Sequence, residues 1–255
     1  MTHWIRFVHD QKEHFGVLEG DDIAVFEGEL FEDPQPAGRT LPIAEVHMLP
    51  PTRPTKMIGL WNNFHAAAEK YGWAIPEAPL YFIKSPSCFL AGGETIRRPA
   101  SYDGRIVYEG ELGVVIGRRC SGVSEEQAAE HIFGYTCIND VTAQQLINQD
   151  PAFPQWTRAK SFDTFGPFGP AVATGIDPSG LTIKTLLNGR ERQSYPVSDM
   201  IFPPAALVSR ISHDMTLCPG DVIACGTSLG VLPMKPGVTV EVVIEGIGTL
   251  RNTFE

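Results

Sequence analysis

Glycine and proline interrupt this chain so often, 25 and 21 times in 255 residues, that its apolar runs stay short and end in turns. Short runs of β-branched and aromatic residues bounded in this way read as strands. No β-helix-β alternation repeats along the sequence, which disfavours a parallel doubly wound sheet, and there is no internal repeat. The expected fold class is therefore α+β and β-rich, a roll or barrel of strands with a few helices.

Trp4 to Val8, Phe15 to Leu18 and Ile23 to Phe26 are strand-like runs separated by Gly and Asp turns. They predict a small β-rich leading domain over residues 1–50. Leu49-Pro50-Pro51-Thr52-Arg53-Pro54 is a stiff joint suited to a boundary, which leaves 51–255 as the main domain. Strands are expected there over 181–187, 221–224, 238–244 and 249–254, with hairpin turns at Asn188-Gly189 and Glu245-Gly246. Ser124 and Gln127 form a capping box that starts a helix, expected to pack beside the apolar strand after Glu111. Three consecutive alanines predict a second helix over about 65–71, ended by Gly72.

A chain of this length buries a sizeable core without disulfides. Its 20 Lys and Arg against 30 Asp and Glu give a net charge of −10 with no dense basic run, which argues against nucleic acid or an anionic membrane as partner. An anionic substrate then needs a local positive centre. The five cysteines (Cys88, Cys120, Cys137, Cys218, Cys225) contain no Cys-x-x-Cys pair and read as small core residues in a reducing cytosol. No apolar segment approaches the length of a membrane span, and no charged-then-apolar leader opens the chain. A soluble cytoplasmic protein is expected.

Glu109 and Glu111 stand two apart at the start of Leu112-Gly113-Val114-Val115-Ile116, so on a strand both side chains project to one face. A second apolar segment, Phe133 to Ile138, runs into Asn139-Asp140 and offers a third carboxylate at a strand end. Such carboxylates repel one another and are costly to bury unless something positive compensates them. All-oxygen ligation suits Mg2+, Mn2+ or Ca2+, and three protein ligands leave about three positions on the ion for water and a chelating substrate. On spacing alone the plainer account is the commoner one: solvated strand-edge glutamates, and an Asp140 that caps a turn.

The surrounding segments add to this. Tyr108-Glu109-Gly110-Glu111-Leu112-Gly113, Asn139-Asp140-Val141-Thr142-Ala143, Ala159-Lys160-Ser161-Phe162-Asp163, Asn188-Gly189, Ser198-Asp199-Met200-Ile201-Phe202, Pro219-Gly220-Asp221, Gly226-Thr227 and Glu245-Gly246-Ile247-Gly248 follow in that order. From about Met57 to the C-terminus the chain resembles the fumarylacetoacetate hydrolase family, on the side of its bacterial 2-hydroxyhepta-2,4-diene-1,7-dioate and 5-carboxymethyl-2-hydroxymuconate isomerases. The leading 50 residues look like the small N-terminal domain that many bacterial members carry. The resemblance implies a mixed β-roll or barrel, usually a homodimer, that holds Mg2+ or Mn2+ at the positions of Glu109, Glu111 and Asp140. It implies small 2-oxo or 2,4-dioxo acids as substrates, as in aromatic compound catabolism, and reactions through an enolate beside a carboxylate: isomerisation, decarboxylation or carbon–carbon hydrolysis. Lys160 falls at the family's lysine near the metal, a catalytic cation for the enolate oxygen. Gly226 and Thr227 fall where a substrate carboxylate is held by an N–H and a hydroxyl, and Lys84 matches a pocket position. By themselves the two lysines read more readily as surface lysines, and Gly226-Thr227 equally well as an ordinary turn.

Two positions depart from the family pattern. Family hydrolases carry Gly-x-Asn-Tyr-x-x-His-x-x-Glu, whose His and Glu activate water. Here His65 is kept and the acid comes one residue late, as Glu69, still one helical turn away. After Asp140 the family's Val-Thr-Ala-Arg-Asp reads Val141-Thr142-Ala143-Gln144-Gln145, and Gln144 hydrogen-bonds a substrate without neutralising it. Either the substrate has a less acidic distal end, or Arg158, Lys84 or Arg105 supplies the charge. An imperfect pair harms hydrolysis most, because tautomerisation and decarboxylation need no activated water. The sequence therefore predicts a metal-dependent isomerase, tautomerase or decarboxylase acting on a small 2-oxo acid. An acylpyruvate or fumarylpyruvate hydrolase using His65 and Glu69 comes second, and a catalytically silent β-rich binding module third.

Overall fold

Alternation along the strand Gly110–Ile116 sets the layering of the molecule. Leu112, Val114 and Ile116 point into an apolar cluster that includes Ile183, Val242, Ile244 and Leu250. Val115 points the other way, among Ile138, Phe168, Val172 and Met57. Burial on both faces accounts for the unbroken apolar run of this strand.

The computed structural model describes residues 1–255. Its largest sheet runs in the order Gln35–Pro42, Asp22–Glu27, Lys12–Glu19, Thr2–His9, Gly166–Thr174, Ile132–Asn139, Gly110–Ile116, Val222–Ala224, Met57–Trp61, Leu80–Lys84. A second sheet, Arg190–Pro196, Thr182–Leu187, Thr239–Ile244, Gly248–Phe254 and Thr95–Ile96, supplies the other half of the larger core. Both sheets keep free edges, so the expected roll is built from open sheets and does not close into a barrel. The leading strands add to the large sheet: Thr2–His9 pairs antiparallel with Gly166–Thr174, and Arg6 Nη1 donates to the carbonyls of Pro50 and Thr52. No helix is long and apolar enough to cross a membrane, and all five cysteines are free.

The predicted hairpins form. Asn188 and Gly189, both left-handed at φ 50° and 72°, join Thr182–Leu187 to Arg190–Pro196. Helix His65–Tyr71 ends at Gly72, whose φ of 68° lets its N–H turn back to the carbonyls of Ala68 and Glu69. The Ser124–Gln127 capping box is present, but its helix spans only Glu125–Ala128. That helix packs against Pro204–Asp214 and not beside Gly110–Ile116, because Ser209 and Ser212 hydrogen-bond the carbonyl and amide of Val123 and tie the segment there.

Register positions the acids. Gly110 pairs with Asn139, and the Asp140 N–H continues the ladder to the Glu109 carbonyl at 2.8 Å, so Asp140 lies beside Glu109. Gly110 itself faces the second sheet, where a Cβ would come within 2.0 Å of Thr185 Oγ1. Only glycine lets the two layers approach this closely between the two glutamates.

Candidate metal centre and substrate cavity

Carboxylate oxygens of Glu109, Glu111 and Asp140 lie within 4.8 Å of one another. Lys160 closes the short helix Trp156–Lys160, and its Nζ donates to Glu109 Oε2 at 2.6 Å and to Asp140 Oδ2. Lys84 ends the edge strand and donates to Asp140 Oδ1 at 2.6 Å and to the Lys160 carbonyl. Thr142 Oγ1 donates to Glu109 Oε1 at 3.0 Å, and the Gly226 N–H donates to Glu111 Oε2 at 2.8 Å. Glu111 Oε1 is buried and accepts from nothing.

Three carboxylates against two ammonium groups leave one negative charge uncompensated. Burial pushes the Glu111 carboxyl well above its ordinary pKa, and the charges of Asp140 and Glu109 add to the rise. Burial raises Glu109 as well, against the pull of Lys160. Burial also opposes the charge on Asp140, but Lys160 and Lys84 outweigh it and hold that carboxyl below its usual value. For Lys160 the sense is the same: burial disfavours the cation, yet Asp140 and Glu109 raise its pKa above the ordinary lysine value, so it stays an ammonium. The residues fit a divalent cation on three counts: an all-oxygen donor set, one buried oxygen with no hydrogen to accept, and a charge deficit.

A cavity of about 440 Å3 opens onto Glu109 and Lys160, and Gln144 and Thr227 stand in its wall. Gly226 does not offer its N–H to a substrate, because that group is engaged by Glu111; its φ of 91° turns the amide there. The Thr227 hydroxyl is similarly occupied, donating to the Gly110 carbonyl at 3.1 Å and accepting from Gln193 Nε2 at 2.9 Å. The Thr227 main-chain N–H has no protein acceptor and is the donor left at this place. Lys84 is fully buried and outside the cavity wall, and it holds Asp140.

His65 and Glu69 are both exposed, no hydrogen bond joins them, and neither lines the cavity. They share one face of their helix as their spacing predicts, but the buried face carries Ala67 and Ala68, and Ala67 and Tyr71 are the residues turned to the cavity. The water-activating pair is therefore not assembled at this site. Arg105 and Arg158 are exposed and outside it, so no arginine stands in for the one replaced by Gln144.

The sequence reading missed the other wall of the cavity, formed by Trp61, Tyr71, Trp73, Phe82 and Trp156. One signal was available: Trp156 precedes Lys160 by one helical turn, which puts an indole next to the lysine near the acids. Gln193 and Asn139 stand in segments that carry the resemblance but had no role from sequence: Gln193 Oε1 accepts from the Gly110 N–H at 3.0 Å and Asn139 Oδ1 from the Glu109 N–H at 3.1 Å. Both brace the main chain that carries the two glutamates.

Residues 56–255 match the family described as Fumarylacetoacetate (FAA) hydrolase C-terminal, and residues 2–51 match one described as Rv2993c-like, N-terminal. Oxaloacetate tautomerase YisK of Bacillus subtilis (strain 168) is 37% identical over 224 residues, 82% of this chain and 73% of its own length. The crystal structure of 2-hydroxyhepta-2,4-diene-1,7-dioate isomerase from Mycobacterium marinum is similar with a TM-score of 0.91 at 36% identity, covering 100% of this chain and 98% of that one. Maleylpyruvate hydrolase from Sphingobium sp. SYK-6, solved in complex with manganese(II) ion and pyruvate, gives a TM-score of 0.81 at 26% identity over 99% of this chain and 98% of that one.

Proposed function

The chain belongs to the fumarylacetoacetate hydrolase C-terminal family, and from that premise we propose that it is a divalent-metal-dependent isomerase, tautomerase or decarboxylase that forms an enolate from a small 2-oxo or 2,4-dioxo acid. The observation that carries this reading is the buried, partnerless Glu111 Oε1 in a trio of carboxylates with one charge uncompensated. Mg2+ or Mn2+ held by Glu109, Glu111 and Asp140 supplies the Lewis acid that favours the charge-separated form of a chelating substrate. The Sphingobium relative, solved with manganese and pyruvate, and the tautomerase and isomerase relatives support that assignment.

Lys160 has three N–H donors, two of them engaged by Glu109 and Asp140, and the third is left for the oxygen on which negative charge develops. Without the ion its acid neighbours raise its pKa above the ordinary lysine value, which favours the ammonium as a donor. The Thr227 N–H, which has no protein acceptor, would hold a substrate carboxylate in the same wall. Isomerisation or decarboxylation stands ahead of hydrolysis because the residues that would activate water, His65 and Glu69, lie on the solvent side of their helix.

Enolate formation is read directly as exchange of the C3 hydrogens of 2-oxobutanoate for deuterium, followed by NMR with Mg2+. Exchange that requires the protein and the ion and stops on chelation is the expected result. Absence of exchange, or exchange indifferent to the ion, refutes the proposal, and cleavage of an acylpyruvate faster than this exchange moves the assignment to the hydrolases.

A further inference from the structure

We propose that the distal end of the substrate, away from its metal-chelating 2-oxo acid, is an uncharged apolar group, aryl or alkyl, selected by an aromatic wall. The inference rests on the enolate reading above and adds the substrate class.

The wall is continuous. Tyr71 and Trp73 have ring centroids 4.8 Å apart, Trp73 and Trp61 4.9 Å, Trp61 and Trp156 6.0 Å, and Trp156 stacks on Phe82 at 5.6 Å with the planes 11° apart. Phe82 in turn lies 4.8 Å from Lys160 Nζ, so the rings lead from the acid cluster to the half-exposed Tyr71. Three of the four tryptophans of the chain stand in this one wall. Such rings offer a large apolar surface and stacking geometry to a planar or alkyl group.

The cavity offers no free cation to a second anion. Glu109 and Lys160 are its only charged lining residues, and Lys160 is already held by two carboxylates. Gln144 and Asn148 are neutral amides. Asn62, also in the wall, donates Nδ2 to the Ala74 carbonyl at 2.9 Å, which leaves its buried Oδ1 as an acceptor without a donor. A distal carboxylate would be desolvated against indole rings, meet a lone acceptor oxygen, and lie near a cluster with negative charge in excess. A neutral group meets none of these penalties.

The comparison is between 2-oxo-4-phenylbutanoate and 2-oxohexanedioate, which share the 2-oxo acid and the C3 methylene and differ in the distal group. With Mg2+ present, kcat/KM for C3 exchange should favour the phenyl compound by about 30-fold or more, from the usual yield of burying an apolar group in a fitted pocket. Binding should follow the same order, read independently as quenching of tryptophan fluorescence. Gln144→Arg, which places a cation in the wall, should narrow the ratio by about tenfold through the dicarboxylate. Parity, or preference for the dicarboxylate by the unaltered protein, overturns this inference and leaves the enolate reading standing. If neither compound is exchanged or bound with Mg2+, the enolate reading fails and this inference with it.

Discussion

Replacing Lys84 by Met tests whether the acid cluster is held by buried charge in the way the geometry requires. Lys84 has no exposed side-chain surface, pairs with Asp140 Oδ1 at 2.6 Å and donates to the Lys160 carbonyl. Met fills much the same space without the charge, so the loss is that of a buried pair broken on one side, about 3–5 kcal/mol. At about 2–4 °C per kcal/mol for a chain of this size, the melting temperature should fall by about 6–20 °C in chelator-treated protein. The variant also leaves two negative charges uncompensated in place of one, so Mg2+ should raise its melting temperature by more than it raises that of the unaltered protein. Differential scanning fluorimetry with and without Mg2+ measures both, and Lys235→Met at an exposed site is the control. A fall no larger than the control's, together with a weakened KM, would mean that Lys84 serves the substrate and not Asp140, and would refute the reasoning.

Two further outcomes follow from the placement of particular atoms. His65→Ala and Glu69→Gln should leave metal-dependent exchange within about threefold, since both side chains are exposed and outside the cavity; a loss of about 100-fold or more, the usual yield of a positioned acid or base, would show that this helix turns its outer face inward during turnover. Gly110→Ala should lower stability by about 1–3 kcal/mol in a denaturant titration, because its Cβ meets Thr185 Oγ1 at 2.0 Å, and an unchanged midpoint would show that the sheets are not pressed together there.

The parts of the site that the sequence made legible are those governed by rules within a few residues. Two-residue spacing placed Glu109 and Glu111 on one face, and the run into Asp140 needed only an antiparallel register to bring it beside Glu109. The capping box at Ser124 and the stop at Gly72 are equally local and are present in the structure. What escaped depends on partners far along the chain. Nothing near Gly226 indicates that its N–H turns to Glu111, and nothing near Lys84 indicates that Asp140 and the Lys160 carbonyl bury it. The spacing of His65 and Glu69 gave their common face, but which face turns inward is decided by the packing of Ala67 and Ala68. Helix Pro204–Asp214 was missed because Ala206, Leu207, Val208, Ser209, Ile211 and Ser212 are all buried, which confines its exposed polar stripe to Arg210, His213 and Asp214 at one end. The aromatic wall is assembled from the separate segments of Trp61, Tyr71 with Trp73, Phe82 and Trp156, and no periodicity links them.

Calorimetric titration of chelator-treated protein with Mn2+ addresses the metal centre most directly, with Glu111→Gln alongside. The unaltered chain should bind one ion, and the variant should bind it about 100-fold or more weakly, beyond what a residue outside the ligand set would cause. In the absence of ion the variant should be at least as stable, because a neutral amide is not disfavoured by burial as the carboxylate is. Equal affinity in the two proteins, or no saturable binding in either, would contradict the metal centre on which the proposed function depends.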